Sequence, residues 1–134
     1  REILEPEIAA LAATRAGEQD IAAMRDAVRV MDMSQRDPSA FIEADLDFHL
    51  SLAEAAANPL ILSLIDSIVG LLREQRMQIF YIAGGPERGQ AHHKRILAAI
   101  ERHDPQRARD AMRLHLQQVR DDSRNTVSEQ GTKN

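Results

Sequence analysis

The segment that decides the fold is Phe41-Ile42-Glu43-Ala44-Asp45-Leu46-Asp47-Phe48-His49-Leu50-Ser51-Leu52. With a repeat of 3.6 residues, one face of this segment carries Phe41, Ala44, Asp45, Phe48, His49 and Leu52. This spacing predicts an amphipathic helix. It also places a carboxylate and an imidazole, four residues apart, inside an apolar face.

Asp45 needs a partner if it is buried. A charged carboxylate in an apolar interior is costly unless a cation meets it. Neighbouring positions of the same face carry no Lys or Arg, so the partner has to come from elsewhere. A divalent metal ion shared with His49 is the economical candidate, and a buried ion pair with protonated His49 is the alternative.

Composition favours helices and restricts the kind of metal site. A chain of 134 residues is long enough for one domain with a substantial core. Strong helix formers dominate, while aromatic residues make up only 3% and β-branched runs are rare. Cysteine is absent, so disulfides and thiolate ligands are excluded and a metal site would use His and carboxylates.

Charge and hydropathy argue against two other classes of protein. The formal net charge is −4 and no Lys/Arg cluster stands alone, so this chain is a poor nucleic-acid binder by itself. The longest apolar stretch, 59–65, is too short to span a membrane, and no segment resembles a signal peptide. We therefore expect a soluble, cytoplasmic protein. Because residue 1 runs directly into a helical pattern, we also expect this chain to be a piece of a longer protein.

Proline positions predict the helix boundaries. Each of the five prolines follows a residue suited to a cap or turn, as in Asp37-Pro38 and Asn58-Pro59. The predicted helices are 2–16, 18–34, 38–56, 59–82, 86–102 and 105–125. Short connections favour antiparallel neighbours, so we expect an all-α helical bundle. The fourth helix is apolar on more than one side and is expected to be central, whereas 126–134 is polar and expected to be a disordered tail.

Two further histidines fall on apolar faces. His93 shares a face with Ile96, Leu97 and Ile100, and His115 lies among Ala108, Ala111, Met112 and Val119. A single inward His is usually a core residue bonded to a carbonyl, which leaves separate burial of each imidazole open. One divalent ion would satisfy the three imidazoles and Asp45 together.

These residues form a pattern that closely resembles the FCD domain, the C-terminal effector-binding domain of the FadR subfamily of GntR-type bacterial transcription regulators. The pattern reads Asp45-x-x-Phe48-His49, Asn58-Pro59-Leu60, His93-x-x-Ile96-Leu97 and His115-Leu116. The opening Arg1-x-x-Leu4-Glu5-Pro6 resembles the first helix of that domain, and Asp104-Pro105 resembles the start of its last helix. The similarity runs from Arg1 to about Arg124.

The resemblance implies an antiparallel bundle of six to seven helices that encloses a metal and ligand pocket within 1–125. In metal-binding members one Asp and three His hold zinc, nickel or manganese, and here these ligands fall on Asp45, His49, His93 and His115. A winged helix-turn-helix domain normally precedes the domain and binds operator DNA as a dimer, so we expect a homodimer of a protein with such a domain. The implied effector is a small organic acid or sugar acid.

Two arginines are candidate contacts for such an effector. Arg76 falls in phase with Leu72 and Ile79 on the fourth helix, where it can clamp an anionic group. Arg1 is a second candidate because it stands at the start of the first helix. For both residues an ordinary surface or interface ion pair is the competing interpretation.

Two other functions remain open. His and carboxylate ligands with vacant positions also describe metal-dependent enzymes acting on small hydroxy acids. However, Glu43 and Asp47 are out of phase with the candidate ligands, and no nucleophile motif is present, so we do not expect an enzyme. A bundle in which the metal is a purely structural staple is the third possibility.

Overall fold

The fold is all-α, in agreement with the sequence prediction. A computed structural model describes residues 1–132, with side chains described for 1–126. This part of the chain contains six helices: α1 (Leu4–Arg15), α2 (Glu18–Met33), α3 (Pro38–Ala55), α4 (Pro59–Phe80), α5 (Gly85–Glu101) and α6 (Pro105–Thr132). Short turns connect the helices, and α2 with α3, α3 with α4, and α5 with α6 pack side by side as antiparallel neighbours.

Side-chain caps set the starts of the central helices. The Asp37 carboxylate accepts a hydrogen bond from the backbone N–H of Ala40, and Asn58 caps α4 in the same way through Leu60. Each cap is followed by a proline, whose missing N–H needs no partner in the first turn. The turn into α5 needs glycine, because Gly84 has a φ of 74°.

Helix α3 lies at the centre of the packing. Along its length it contributes Phe41, Ala44, Phe48 and Leu52 to the main core. It contacts α1, α2 and α4, and its buried face also carries Asp45 and His49. The decisive segment of the sequence therefore forms the buried helix that it predicted.

The prediction that α4 is central was wrong. Leu60 and Leu71 are 81% and 76% exposed, and Leu64 is 50% exposed. Only one side of α4, with Ile65, Leu72 and neighbouring residues, packs onto the domain. The apolar surplus that suggested a central position lies on the outward side of this helix.

Helix α6 continues beyond the predicted end at residue 125. It remains helical to Thr132, through part of the segment 126–134 that was expected to be a disordered tail. Propagating an existing helix costs little per residue, and no proline interrupts the sequence after Pro105. Positions 133 and 134 lie outside the described residues.

Within the described residues, no helix combines the length and the hydropathy that a membrane span needs.

Candidate metal centre

Three buried histidines converge from three helices. His49 lies on α3, His93 on α5 and His115 on α6. One ring nitrogen from each lies within 4.8 Å of the others, as in groups that can hold a metal ion. Neighbouring rings are close, with centroids of His93 and His115 4.6 Å apart. The fold therefore brings together the three histidines that the sequence pattern had singled out.

Asp45 adds an oxygen to this cluster. Its Oδ1 atom lies 3.3 Å from Nε2 of both His49 and His93. Oδ1 and the Nε2 atoms of all three histidines are buried, and none has a hydrogen-bond partner among the described residues. Unsatisfied buried polar atoms are rare in folded proteins. Four of them together fit a divalent ion bound by three nitrogens and one oxygen.

The opposite ring nitrogen of each histidine is held by an acceptor. Nδ1 of His49 lies 2.8 Å from Glu5 Oε1. Nδ1 of His93 lies 3.1 Å from Gln90 Oε1, and Nδ1 of His115 lies 3.2 Å from Gln118 Oε1. These acceptors assign the proton of each neutral ring to Nδ1, so the Nε2 lone pairs point into the cluster.

Two of these acceptors are themselves fixed by further hydrogen bonds. The Gln90 amide donates to the carbonyl of Val28 at 2.9 Å and to Asp32 at 3.0 Å. The Gln118 amide donates to Asp122 at 2.7 Å. Because each amide nitrogen is engaged in donating, its oxygen is left to accept from the histidine.

Sequence reasoning missed all three acceptors. A periodic signal was present for each of them: Glu5 falls in phase with Ile8 and Ala12 on the buried face of α1, while Gln90 and Gln118 lie three residues from their histidines. Gln90 and Gln118 each share a helix face with the histidine that they contact. Glu5 lies on a different helix from His49, and its polarity alone does not indicate that it is buried.

Arg76 supplies the cation that the sequence did not place beside Asp45. Its Nε lies 3.0 Å from Asp45 Oδ2, and both side chains are buried. The sequence analysis expected the partner of Asp45 to come from outside its own helix face and favoured a metal ion, whereas an arginine of α4 contacts one carboxylate oxygen. Asp45 therefore faces the guanidinium with one oxygen and the imidazoles with the other.

These neighbours also shift the pKa values in the cluster. Burial by itself raises the pKa of Asp45, but Arg76 and His93 outweigh it and hold the pKa well below its usual range. Burial, with the nearby His93 and His49, holds the pKa of His115 well below its usual value. Burial also lowers the pKa of His93. A carboxylate and two neutral imidazoles are the protonation states that metal ligation requires.

His49 differs from the other two histidines. Burial lowers its pKa, but the adjacent carboxylates of Asp45 and Glu5 outweigh burial and raise it. His49 therefore holds a proton more strongly than His93 and His115 do. A metal ion at this cluster would have to displace that proton.

A small cavity of about 20 Å³ adjoins the cluster. Its lining includes Asp45, Arg76, His93 and His115 together with apolar residues from α3, α4 and α6. Besides Nε, which faces Asp45, the two terminal guanidinium nitrogens of Arg76 are buried without a hydrogen-bond partner in the described part of the chain. The cavity has room for an ion or a water molecule, and it presents unused donors to its contents.

Arg1 occupies a different place. Its Nε donates to Glu5 at 2.7 Å, and its Nη1 donates to Gln75 at 3.1 Å. The described residues that line the small cavity do not include Arg1. It borders instead an open groove between the start of the chain and α6, lined also by Val119 and Arg120.

The chain is similar in sequence to a known domain family and to known regulators. The sequence profile of the FCD domain matches residues 1–118. The HTH-type transcriptional regulator LutR of Bacillus subtilis (strain 168) is 32% identical over 126 residues, which cover 90% of this chain and 58% of LutR. The HTH-type transcriptional repressor NanR of Escherichia coli (strain K12) is 30% identical over 121 residues, covering 89% of this chain and 46% of NanR.

A solved structure shows the same architecture. Streptococcus agalactiae GntR superposes with a TM-score of 0.74 at 28% identity, over 90% of this chain and 54% of that chain. The chain thus spans about half the length of the regulators that it matches. The profile match over 1–118 confirms the resemblance drawn from the sequence, and the chain belongs to the FCD domain family.

Proposed function

We propose that this chain is the ligand-sensing domain of a GntR-type transcription regulator, and that it binds a divalent metal ion together with a small organic acid. The ion would be held by Asp45, His49, His93 and His115. The observation that carries the proposal is the cluster of three buried imidazoles with ring nitrogens within 4.8 Å of one another, beside which Asp45 Oδ1 lies 3.3 Å from two of them. Membership of the FCD family and the regulator names of its relatives support a regulator over a metal-dependent enzyme.

The donor set fits several first-row divalent ions. Three imidazole nitrogens and one carboxylate oxygen suit zinc, nickel and manganese alike. Three neutral imidazoles and one carboxylate leave such an ion with a net charge of about +1. When bound, the ion would offer vacant coordination positions to a carboxylate or an α-hydroxy acid.

Arg76 is the residue that we propose as the second contact of the acid. Its guanidinium lines the cavity beside Asp45 and has buried nitrogens without hydrogen bonds to described residues. A planar guanidinium pairs well with a carboxylate. Arg1 was proposed from the sequence as another effector contact, but its bonds to Glu5 and Gln75 make it the weaker candidate.

The cavity sets a condition on binding. A volume of about 20 Å³ admits an ion or a water molecule but not an organic acid. Binding of the acid therefore requires the helices that line the cavity to separate. A ligand shifts such an equilibrium only by its different affinity for the two arrangements, and this shift would be the signal that the domain transmits.

The whole protein would act on DNA through another domain. LutR and NanR are named HTH-type regulators, and we propose that a winged helix-turn-helix domain precedes residue 1 of this chain in a cytoplasmic homodimer that binds operator DNA. The exposed leucines of α4 support self-association, because contiguous exposed apolar residues mark interaction surfaces.

A titration separates the three candidate functions. The zinc-loaded and metal-free domains are each titrated with glycolate, malate and citrate by calorimetry, and the mixtures are then searched for product. A sensor binds an acid stoichiometrically only when metal is present, and it leaves the acid unchanged. Product formation would support the enzyme, whereas metal binding without affinity for any acid would support a structural staple.

A further inference from the structure

Glu5 lies at the centre of a hydrogen-bond network that metal ligation does not itself require. We propose that Glu5 is the positioning residue of the metal centre, which holds His49 in its ligating orientation and links it through Arg1 to the start of α1. This inference rests on the proposed metal site. It assigns to Glu5 a function distinct from ligation.

Glu5 is buried among charged and polar partners. The Glu5 side chain is only 4% exposed, and its carboxylate lies 2.8 Å from His49 Nδ1 and 2.7 Å from Arg1 Nε. A carboxylate is therefore buried between a candidate metal ligand and a guanidinium, which is costly unless its partners are fixed.

His49 has a different kind of acceptor from the other two histidines. The described acceptors of His93 and His115 are the neutral amides of Gln90 and Gln118, whereas that of His49 is a carboxylate. A carboxylate bonded to the remote nitrogen of an imidazole fixes the tautomer and raises the basicity of the ligating nitrogen. Glu5 thus makes Nε2 of His49 the most basic of the three candidate ligand nitrogens.

Hydrogen bonds also connect Glu5 through Arg1 to other helices. Arg1 donates to Gln75 on α4 at 3.1 Å, and Gln75 donates to Ser123 on α6 at 2.9 Å. The Glu5 backbone N–H also donates to the carbonyl of Arg1 at 2.8 Å. The network therefore joins His49 to the start of α1 and to two further helices, in an unbroken series of hydrogen bonds.

This arrangement has a consequence for metal binding. An ion that fixes the His49 ring also fixes the Glu5 carboxylate, and through it the Arg1 side chain. The first turn of α1 should then open less often, and its backbone amides should exchange more slowly. Metal binding at the centre would in this way change the amide exchange of the first turn of α1.

The test compares Glu5→Gln with Glu7→Gln. Glu7 lies on the same helix, is exposed and pairs with Arg109 on the surface, so it is a matched control. Zinc affinity is measured by competition with a chelator, for the wild-type chain and both variants. We expect Glu5→Gln to bind zinc about 10–100-fold more weakly, and Glu7→Gln to bind like the wild type.

Hydrogen exchange of the wild-type chain provides a readout that does not depend on a variant. Addition of zinc should slow exchange of the amides in residues 5–8, namely those of Glu5, Glu7 and Ile8, more than those at the start of α2. Equal zinc affinity in the two variants, or unchanged exchange at residues 5–8, would overturn the role of Glu5. If the wild-type chain binds no zinc, the proposed metal site fails as well, so the two failures are distinguishable.

Discussion

Asp45 and Arg76 form a buried ion pair between α3 and α4, with Oδ2 and Nε 3.0 Å apart. The other oxygen, Oδ1, faces Nε2 of His49 and His93. One carboxylate therefore connects the candidate metal centre to the cation that lines the adjoining cavity. A change at either place alters the charge that the other experiences.

This pair leads to a prediction about stability. Arg76→Met should destabilise the metal-free domain by about 3–5 kcal/mol, because it leaves the buried charge of Asp45 without its cation. Zinc should reduce that loss, since the ion supplies positive charge to the same carboxylate. The measurement is urea denaturation of variant and wild type, each with EDTA and with zinc.

The control for this prediction is Arg73→Gln. Arg73 lies on the same helix as Arg76 and pairs at the surface with Glu43 of α3, and exposed pairs contribute little to stability. A loss at Arg76 that is as small as the loss at Arg73, or one that zinc does not change, would contradict this account of the Asp45–Arg76 pair.

Acidification should release the metal. The raised pKa of His49 means that a proton competes for this ligand at higher pH than for His93 or His115. Zinc affinity should therefore begin to fall above pH 6.5, where the raised pKa of His49 lies, and should drop by about tenfold per pH unit below that pKa. Chelator competition across that range measures it, and an affinity that stays constant would exclude histidine ligation.

Glu5 should make metal-free stability depend on pH. Its pKa is about 2 in the folded chain against 4.5 for an ordinary glutamate. A lowered carboxylate pKa stabilises the fold above the unfolded value, so this contribution is complete above pH 4.5 and is lost as the pH falls toward 2. The full contribution is about 3 kcal/mol.

The Glu5→Gln variant isolates that contribution. With EDTA present, the difference in unfolding free energy between wild type and Glu5→Gln should shrink as the pH is lowered from about 6 to about 3. Denaturation curves at several pH values measure this difference. A gap that does not change with pH would mean that ionised Glu5 does not stabilise the fold.

The sequence predicted the helices because the local signals were strong. Asp37-Pro38 and Asn58-Pro59 combine a side-chain cap with a proline suited to the first turn, and helices begin at both prolines. The four candidate ligands were found because a charged or imidazole group on an apolar face is unusual. Periodicity within a single helix was sufficient for each of them.

What the sequence missed depends on contacts between helices. The Asp45–Arg76 pair joins α3 to α4, and the Glu5–His49 bond joins α1 to α3. Periodicity reports which face of a helix is buried but not which residues meet across the interface. The position of α4 was misjudged for a related reason, since apolar residues such as Leu71 predict burial but also occur at surfaces that bind other chains.

The most direct test of the account is the metal content of the domain. After incubation with zinc, nickel or manganese and removal of excess ion at neutral pH, elemental analysis should find about one ion per chain. His93→Ala and His115→Ala should lose that ion while keeping their helix content by circular dichroism, and His92→Ala, next to the cluster, should retain it. A wild-type domain that holds no divalent ion at any pH near neutral would contradict the central claim.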